Sequence, residues 1–157
     1  MRPVHVTTRS LTPDESESLL NRHHVGRLAA SFDGRHSLTL VNYAYADHWI
    51  YLRIETGARR TTIEHQPWVA FEVDEVDGIY DWRTVTVNGP VQFLSDDTHS
   101  SAWRDFHTAV QLIRSIVPRA RTSQDPMPER EHLLRIYADS LIGSEARSDA
   151  RDVLPRP

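Results

Sequence analysis

The sequence predicts a mainly β fold with added helices (β+α), a small and mostly antiparallel barrel of about six strands. Short segments in which apolar and polar residues alternate recur along the chain, and tight-turn pairs separate them. Only one long segment has the period of an amphipathic helix. The 157 residues are enough for a single domain, and 39% hydrophobic with 25% charged residues is typical of a globular protein.

The first predicted element is a short helix that extends to about His23. Thr12 stands at its N-cap, Pro13 at its first position and Glu15 at its third, which together make a capping box. Few apolar residues follow in this helix. We therefore expect it to lie against the body of the protein rather than inside it.

A meander of hairpins should follow this helix. The predicted strands are Val25–Phe32, Ser37–Ala46, Trp49–Glu55, Trp68–Val76, Trp82–Leu94 and Glu131–Tyr137. Asp33-Gly34 and Asp47-His48 are the tight turns of the first two hairpins. Gly89-Pro90, inside a long strand, indicates a bulge or bend of the kind found at a barrel corner.

Two further helices are predicted between the strands. Residues 58–66 can form two turns that Pro67 ends, and residues 103–117 form an amphipathic helix closed by Pro118. Residues 1–144 are expected to make one domain, and the polar residues 145–157 a flexible tail.

Composition excludes several classes of chemistry. All 18 basic residues are Arg, so lysine Schiff bases and lysine-bearing phosphate loops are absent, and without Cys there are no thiolate nucleophiles. A net charge of −4 gives no general reason to bind nucleic acid or a membrane. The nine His show no metal-binding spacing, so no metal site is expected, and the absence of an apolar leader favours a cytoplasmic protein.

The segment 56–62 carries the clearest functional signal. Thr56 and Gly57 follow a strand and open a helix that begins with Arg59 and Arg60 in its first turn. Guanidinium groups, hydroxyls and free backbone N–H groups at a helix start would together suit a phosphate. An arginine pair on a solvated helix face is the alternative, and the residues alone leave both interpretations open.

Four further segments of the chain form an ordered set: LVNYAY (40–45), YLRIETGARR (51–60), WVAFEVDEVD (68–77) and WRTVTVNGPVQFL (82–94). Taken in order, they resemble the flavin-binding split-barrel superfamily, which includes pyridoxamine 5′-phosphate oxidase and the nitroimidazole-resistance-type flavoproteins. Members of this superfamily are six-stranded antiparallel split barrels that bind FMN at a homodimer interface. The resemblance thus implies a homodimer with an FMN site formed by Asn42, Tyr43, Arg53, Thr56, Gly57, Arg59, Arg60, Trp82 and Thr84.

Phosphate contacts are implied for the arginines. Arg59 stands where relatives carry a phosphate-binding Lys, and Arg60 is a second donor. Ala58 stands where the oxidase has a further basic residue, so the resemblance implies a phosphate site with fewer basic residues. Arg53 matches a position that contacts the phosphate or the ribityl chain, although on an alternating strand it could simply face solvent.

Ring contacts are implied for the other residues. Asn42 and Tyr43 match the strand beside the flavin ring, Thr84 a polar position facing the ring or ribityl chain, and Trp82 a residue that stacks on or shields the ring. Tyr43 and Trp82 could equally be ordinary core or interface aromatics.

The resemblance implies an oxidoreductase that acts on a small aromatic or nitro-type acceptor. The C-terminal segment LLRIYADSLIGSEA lacks the Arg- and Trp-bearing strand of the oxidase, so pyridoxamine phosphate oxidation is not expected. Gly143 is followed by Ser144 where the nitroimidazole-resistance type often has Arg. A deazaflavin-dependent reductase of the same fold, or a non-enzymatic flavin- or haem-binding module, are the alternatives.

Overall fold

A computed structural model describes residues 3–149 of the chain. Over these residues it has eight strands and three helices: β1 (Val6–Ser10), α1 (Pro13–Arg22), β2 (Val25–Phe32), β3 (Arg35–Ala46), β4 (Trp49–Ile54), α2 (Ala58–His65), β5 (Trp68–Val76), β6 (Trp82–Phe93), α3 (Trp103–Ile116), β7 (His132–Tyr137) and β8 (Ser140–Ser148). Within that range, six strands in the order β6-β5-β2-β3-β4-β7 close into an antiparallel barrel, because β7 also pairs with β6. The predicted fold is confirmed.

Two strands change partners, and this divides the barrel into two sheets. Residues 35–42 of β3 pair with β2, and residues 43–46 pair with β4. In β6, residues 82–88 pair with β8 and residues 91–93 with β7. Gly89 lies at this change of partner, where an added Cβ would be 1.7 Å from the carbonyl oxygen of Tyr137. The bend predicted at Gly89-Pro90 therefore marks the corner where the barrel closes.

The turns and caps follow the local sequence. Asp33 and Gly34 have φ values of 52° and 71°, and Asp47 and His48 have 50° and 66°, so the central residues of both hairpin turns are left-handed. At α1, the Glu15 N–H donates to Thr12 Oγ1 (3.2 Å) and the Thr12 N–H donates to Glu15 Oε2 (2.8 Å). The predicted capping box is present.

The barrel interior is the main core. Its fully buried members include Tyr43, Phe71, Leu28, Ile50, Leu52 and Ile136, joined by Leu19 and Leu20 of α1 and Ile63 of α2. A second cluster forms where α3 packs its Phe106 and Ile113 near Tyr51 and Leu133 of the barrel wall. Burying one large side chain of this kind contributes about 1.5–3 kcal/mol, so the packing of helices on the barrel stabilises the fold.

The expected flexible tail at residues 145–157 is wrong at its start. Strand β8 continues to Ser148 and lies between β6 and β1. Glu145 is almost fully buried there, with carboxylate oxygens 2.8 Å from Arg9 Nε and 3.1 Å from Arg147 Nε, and a further contact to Arg83. Burial opposes ionisation of Glu145, but Arg83 and the other two guanidiniums outweigh it and lower its pKa. Residues 150–157 lie outside the described range.

Strand β1 was not predicted, and its side chains give the reason. All five are exposed, so the segment has no apolar alternation for the sequence to display. Its position comes from pairing with β8, about 140 residues further along, with Val6 opposite Ser148.

Among residues 3–149, none of the helices has an apolar stretch of the length that a membrane span requires.

Candidate functional site

The N-terminus of α2 is open toward the outside of the barrel. Gly57 has a φ of 134°, a conformation that side chains disfavour, and nothing lies within 4 Å of the place where a Cβ would be. The first helical bond runs from the Thr61 N–H to the Gly57 carbonyl (3.1 Å), and no side chain in the described part of the chain caps this end. The first N–H groups of a helix carry partial positive charge and have no partner within it.

Arg59 and Arg60 lie in the first turn, as predicted, but they extend to different flanks. Arg59 donates from Nε to Ser37 Oγ (3.1 Å) and pairs with Glu55 through Nη1. Arg60 donates from Nε to Glu64 Oε1 (2.8 Å) on the other flank. Both guanidiniums are partly exposed, at 23% and 34% of their side-chain surface.

His132 is a member of this cluster that the sequence did not indicate. Its two ring nitrogens lie 2.7 Å and 2.8 Å from Arg60 Nη1, and Nε2 lies 2.7 Å from Thr56 Oγ1. Burial, followed by the charge of Arg60, lowers the pKa of His132 below its ordinary value of 6.5. The ring is thus neutral at pH 7. Pairing of β7 with β4, with His132 opposite Ile54, brings it here.

Arg53 lies beside this cluster but is bonded to the loop before β7. Its Nη1 and Nη2 donate to the Asp125 carboxylate at 2.6 Å and 3.3 Å, and only 6% and 3% of the two side chains are exposed. The Arg53 hydrogen bond lowers the pKa of Asp125 well below its ordinary value, helped by the N–H groups of Arg121 and Met127. A cofactor contact from Arg53 remains a prediction, and a buried carboxylate already holds its guanidinium.

Asn42 and Tyr43 are neighbours on β3 with opposite surroundings. Asn42 lines a small crevice with Arg53 and Arg130, next to the outer face of β2 and β3. Tyr43 is fully buried, donates its hydroxyl to the Leu20 carbonyl (2.7 Å), and meets Phe71 edge-on with centroids 4.9 Å apart. The Tyr43 side chain thus links α1 to the core through this hydrogen bond. Because the side chain is buried, a cofactor contact at this position would have to use the backbone.

Trp82 and Thr84 lie away from α2 within the same chain. Strand β5 begins just after α2, where Trp68 pairs with Pro90, whereas Trp82 pairs with Val76 at the opposite end of that ladder. Among residues 3–149, Thr84 Oγ1 is the one buried side-chain polar atom without a hydrogen-bond partner. Such an atom is costly unless a ligand or another chain bonds to it.

Comparison with known proteins identifies the family to which this chain belongs. The family model for pyridoxamine 5′-phosphate oxidase matches residues 12–145, which is most of the chain. The chain belongs to the pyridoxamine 5′-phosphate oxidase family. Among curated proteins, none matches it in sequence.

Solved structures share this fold. An FAD-binding protein from Mesorhizobium loti is 26% identical, with a TM-score of 0.69, and the match covers 91% of this chain and 99% of that one. An FAD-binding protein from Mycobacterium smegmatis is 17% identical over 88% and 100% of the two chains, with a TM-score of 0.63. A putative 5-nitroimidazole antibiotic resistance protein from Bacteroides thetaiotaomicron is 14% identical over 96% and 97%, with a TM-score of 0.69.

The open end of α2 fits the phosphate of a flavin nucleotide, the cofactor implied by the family resemblance. It joins an uncapped helix N-terminus, two partly exposed guanidiniums and the Thr56 hydroxyl within one turn of chain. The fit is incomplete in one respect, because Glu55 and Glu64 now pair with Arg59 and Arg60. A phosphate would replace carboxylates at these guanidiniums, an exchange of one anion for another.

Proposed function

We propose that this protein binds a flavin nucleotide through a phosphate at the N-terminus of α2 and acts as an oxidoreductase. FMN is the form that the resemblance implies, and a small aromatic or nitro-type compound is the acceptor. The observation that carries the proposal is the open, uncapped start of α2 with Arg59 and Arg60 beside it, in a chain of this family. The Mesorhizobium loti protein, named for binding FAD, supports a flavin as the ligand.

In this proposal the arginines and the helix hold the phosphate together. Arg59 approaches from the β3 side and Arg60 from the β7 side, while Thr56 donates from the turn between β4 and α2. Gly57 has no side chain, nothing lies within 4 Å of the place where a Cβ would be, and no side chain caps this helix end among the described residues. His132 next to Arg60 is neutral, so it can accept a hydrogen bond and keep that guanidinium in place.

The remaining contacts would orient the ring. Asn42 lines a small crevice and has an amide that can donate and accept, which suits the edge of a flavin ring. The bound flavin would supply the hydride or electron transfer, so the chain needs no acid or base of its own for that step. The protein's part is to bind, orient and control access.

The cofactor test starts from the purified protein. We expect a yellow protein with a flavin absorption spectrum, and a flavin nucleotide in the mass spectrum of the released ligand. Arg59→Ala should weaken flavin binding by roughly ten- to a hundredfold, the value of about 1.5–3 kcal/mol for a charged hydrogen bond. The unfolding free energy should change by less than about 0.5 kcal/mol, because Arg59 is paired only at a partly exposed site.

Arg104→Ala is the matched control, since it removes an exposed arginine on α3, away from α2. Its flavin affinity should equal that of the unaltered protein. A protein that stays colourless with excess FMN and FAD, or an Arg59→Ala variant within twofold of normal affinity, would contradict the phosphate site. Release of a deazaflavin instead would identify a deazaflavin-dependent reductase, and binding without turnover would favour a non-enzymatic module.

We also propose that the chain forms a homodimer through the outer face of β2 and β3. Val25, Leu38 and Leu40 lie on this face and are 53%, 70% and 55% exposed. Large apolar side chains clustered on one sheet face favour a protein partner, and the resemblance implies a second copy. A second copy could also bring Thr84 to the flavin site, where its unpartnered hydroxyl would find a bond.

Analytical ultracentrifugation of the unaltered protein and of Leu38→Glu tests this interface. We expect a dimer for the first and a monomer for the second, because a buried unpaired carboxylate opposes association. Circular dichroism should show the same strand content in both. A monomeric unaltered protein at tens of micromolar would contradict the dimer.

A further inference from the structure

A groove of about 590 Å³ lies between α2 and the tip of the β2–β3 hairpin, on the Arg59 side of the phosphate site. Phe32, Arg35 and Ser37 line it from the hairpin, and Arg59 and Thr62 line it from α2. Its size is within the range of sites that hold small molecules, about 300–1,000 Å³. Of these five residues, only Arg59 belongs to the proposed phosphate site at the start of α2.

One part of the groove is aromatic. Phe32 is 43% exposed at the end of β2, and its ring lies 4.8 Å from that of His65 with an angle of 32° between them. His65 packs against the Phe32 ring and supports it, and the Phe32 ring, which lines the groove, gives a surface on which a planar base can stack. Stacking of a base on an aromatic side chain contributes about 1–3 kcal/mol in single-strand nucleic-acid binding.

A second part of the groove is cationic. Arg35 is exposed, and no hydrogen bond or ion pair to its side chain occurs among residues 3–149. Arg59 lies between this groove and the start of α2, because its Nε bonds to Ser37 in the groove wall. Asp33 is the acidic residue on the groove wall. Two guanidiniums that line the same groove can bind a second phosphate next to the first.

The α2 wall of the groove can accept hydrogen bonds. Thr61 and Thr62 donate their hydroxyl hydrogens to the carbonyls of Gly57 (3.3 Å) and Ala58 (2.9 Å) within the helix. Their oxygens keep lone pairs that can accept, as can Ser37 Oγ. Acceptors of this kind suit the hydroxyls of a ribose.

We propose that this groove binds the adenylate half of a dinucleotide, so that the flavin held at α2 is FAD. The inference rests on the proposed flavin site, which supplies the first phosphate. The base stacks on Phe32, the ribose faces the threonines, and the second phosphate lies between Arg35 and Arg59. The neighbour with the name of an FAD-binding protein and 26% identity is consistent with this chemistry.

The test measures the affinities of flavin-free protein for FMN and FAD by calorimetry. We expect FAD to bind at least about tenfold more tightly than FMN, from one stacked base and one charged contact. Phe32→Ala and Arg35→Gln should each weaken FAD binding by about three- to tenfold and leave FMN binding within twofold. Arg59→Ala should weaken both ligands, and Arg104→Gln, which removes a charge elsewhere, should change neither.

Other results would overturn the adenylate site in distinguishable ways. Equal affinity for FMN and FAD, or equal losses for both ligands in Arg35→Gln, would remove this inference and leave the flavin site standing. Tighter binding of a deazaflavin with its phosphodiester-linked tail than of FAD would assign the groove to that tail instead. Binding of neither flavin would overturn the proposed function, and this inference with it.

Discussion

Arginines on the two sides of the C-terminal end of β4 differ in their surroundings. Arg53 is buried against a buried partner, Asp125, at 2.6 Å. Arg59 and Arg60, a few residues later, are partly exposed and pair with Glu55 and Glu64, each four residues away in sequence. The first pair fixes the loop before β7 to the barrel wall, and the second set lies at the open end of a helix.

Burial of the ion pair distinguishes a structural arginine from one that can bind a ligand. Breaking a buried pair leaves an uncompensated charge and costs about 3–5 kcal/mol, whereas an exposed pair at this helical spacing contributes only about 0.3–0.5 kcal/mol. A phosphate can therefore replace Glu64 at Arg60 at little cost, but it cannot replace Asp125 at Arg53 without loosening the loop.

The largest effect should come from cutting the buried pair. Asp125→Ala is expected to lower the unfolding free energy by about 3–5 kcal/mol, because Arg53 would keep a buried charge without a partner. Glu64→Ala is the matched variant, which removes the exposed pair with Arg60, and it should lower the unfolding free energy by less than about 0.5 kcal/mol. Urea denaturation of both variants measures the comparison, and equal losses would show that burial does not separate the two kinds of pair.

The pH dependence of the same variant gives a second readout. The pKa of Asp125 is below its ordinary value of 3.8 in the folded protein, so its stabilising contribution is present above about pH 4 and is lost as the pH falls through the folded pKa. The gap in unfolding free energy between the unaltered protein and Asp125→Ala should therefore narrow below pH 4. A constant gap down to pH 2 would mean that the carboxylate charge contributes nothing to it.

The smallest effect should come from removing the carboxylates that compete with the phosphate. Glu55→Gln and Glu64→Gln free Arg59 and Arg60, so each should raise flavin affinity by about twofold, the equivalent of a surface ion pair. The gain should disappear at high salt, where such pairs are screened. Weaker binding in either variant would instead show that the glutamate orients its arginine toward the ligand.

Local signals in the sequence predicted most elements. The capping box at Thr12 and the turns at Asp33 and Asp47 depend on contacts within a few residues, so they could be recognised before the fold was known. The bend at Gly89-Pro90 was also predicted from local residue types. Strand β1 could not be, because its exposed side chains carry no pattern.

Long-range contacts explain what the sequence missed at the site. Arg53 and Asp125 are 72 residues apart, and Thr56 and His132 are 76 apart. Glu145 appeared to begin a solvated tail because the three arginines around it come from separate strands or lie two residues away. Charged residues have similar local signals whether they are buried in pairs or exposed, and only the neighbours from other strands distinguish them.

The barrel strands, their turns and the position of Arg59 and Arg60 at the start of α2 could be predicted from the chain, because each depends on residues close together in sequence. The pairing of Arg53 with Asp125, the burial of Tyr43 in the core and the contact of His132 with Arg60 come from the fold. Strand pairing sets these contacts, and pairing across a closed barrel depends on all of its strands at once.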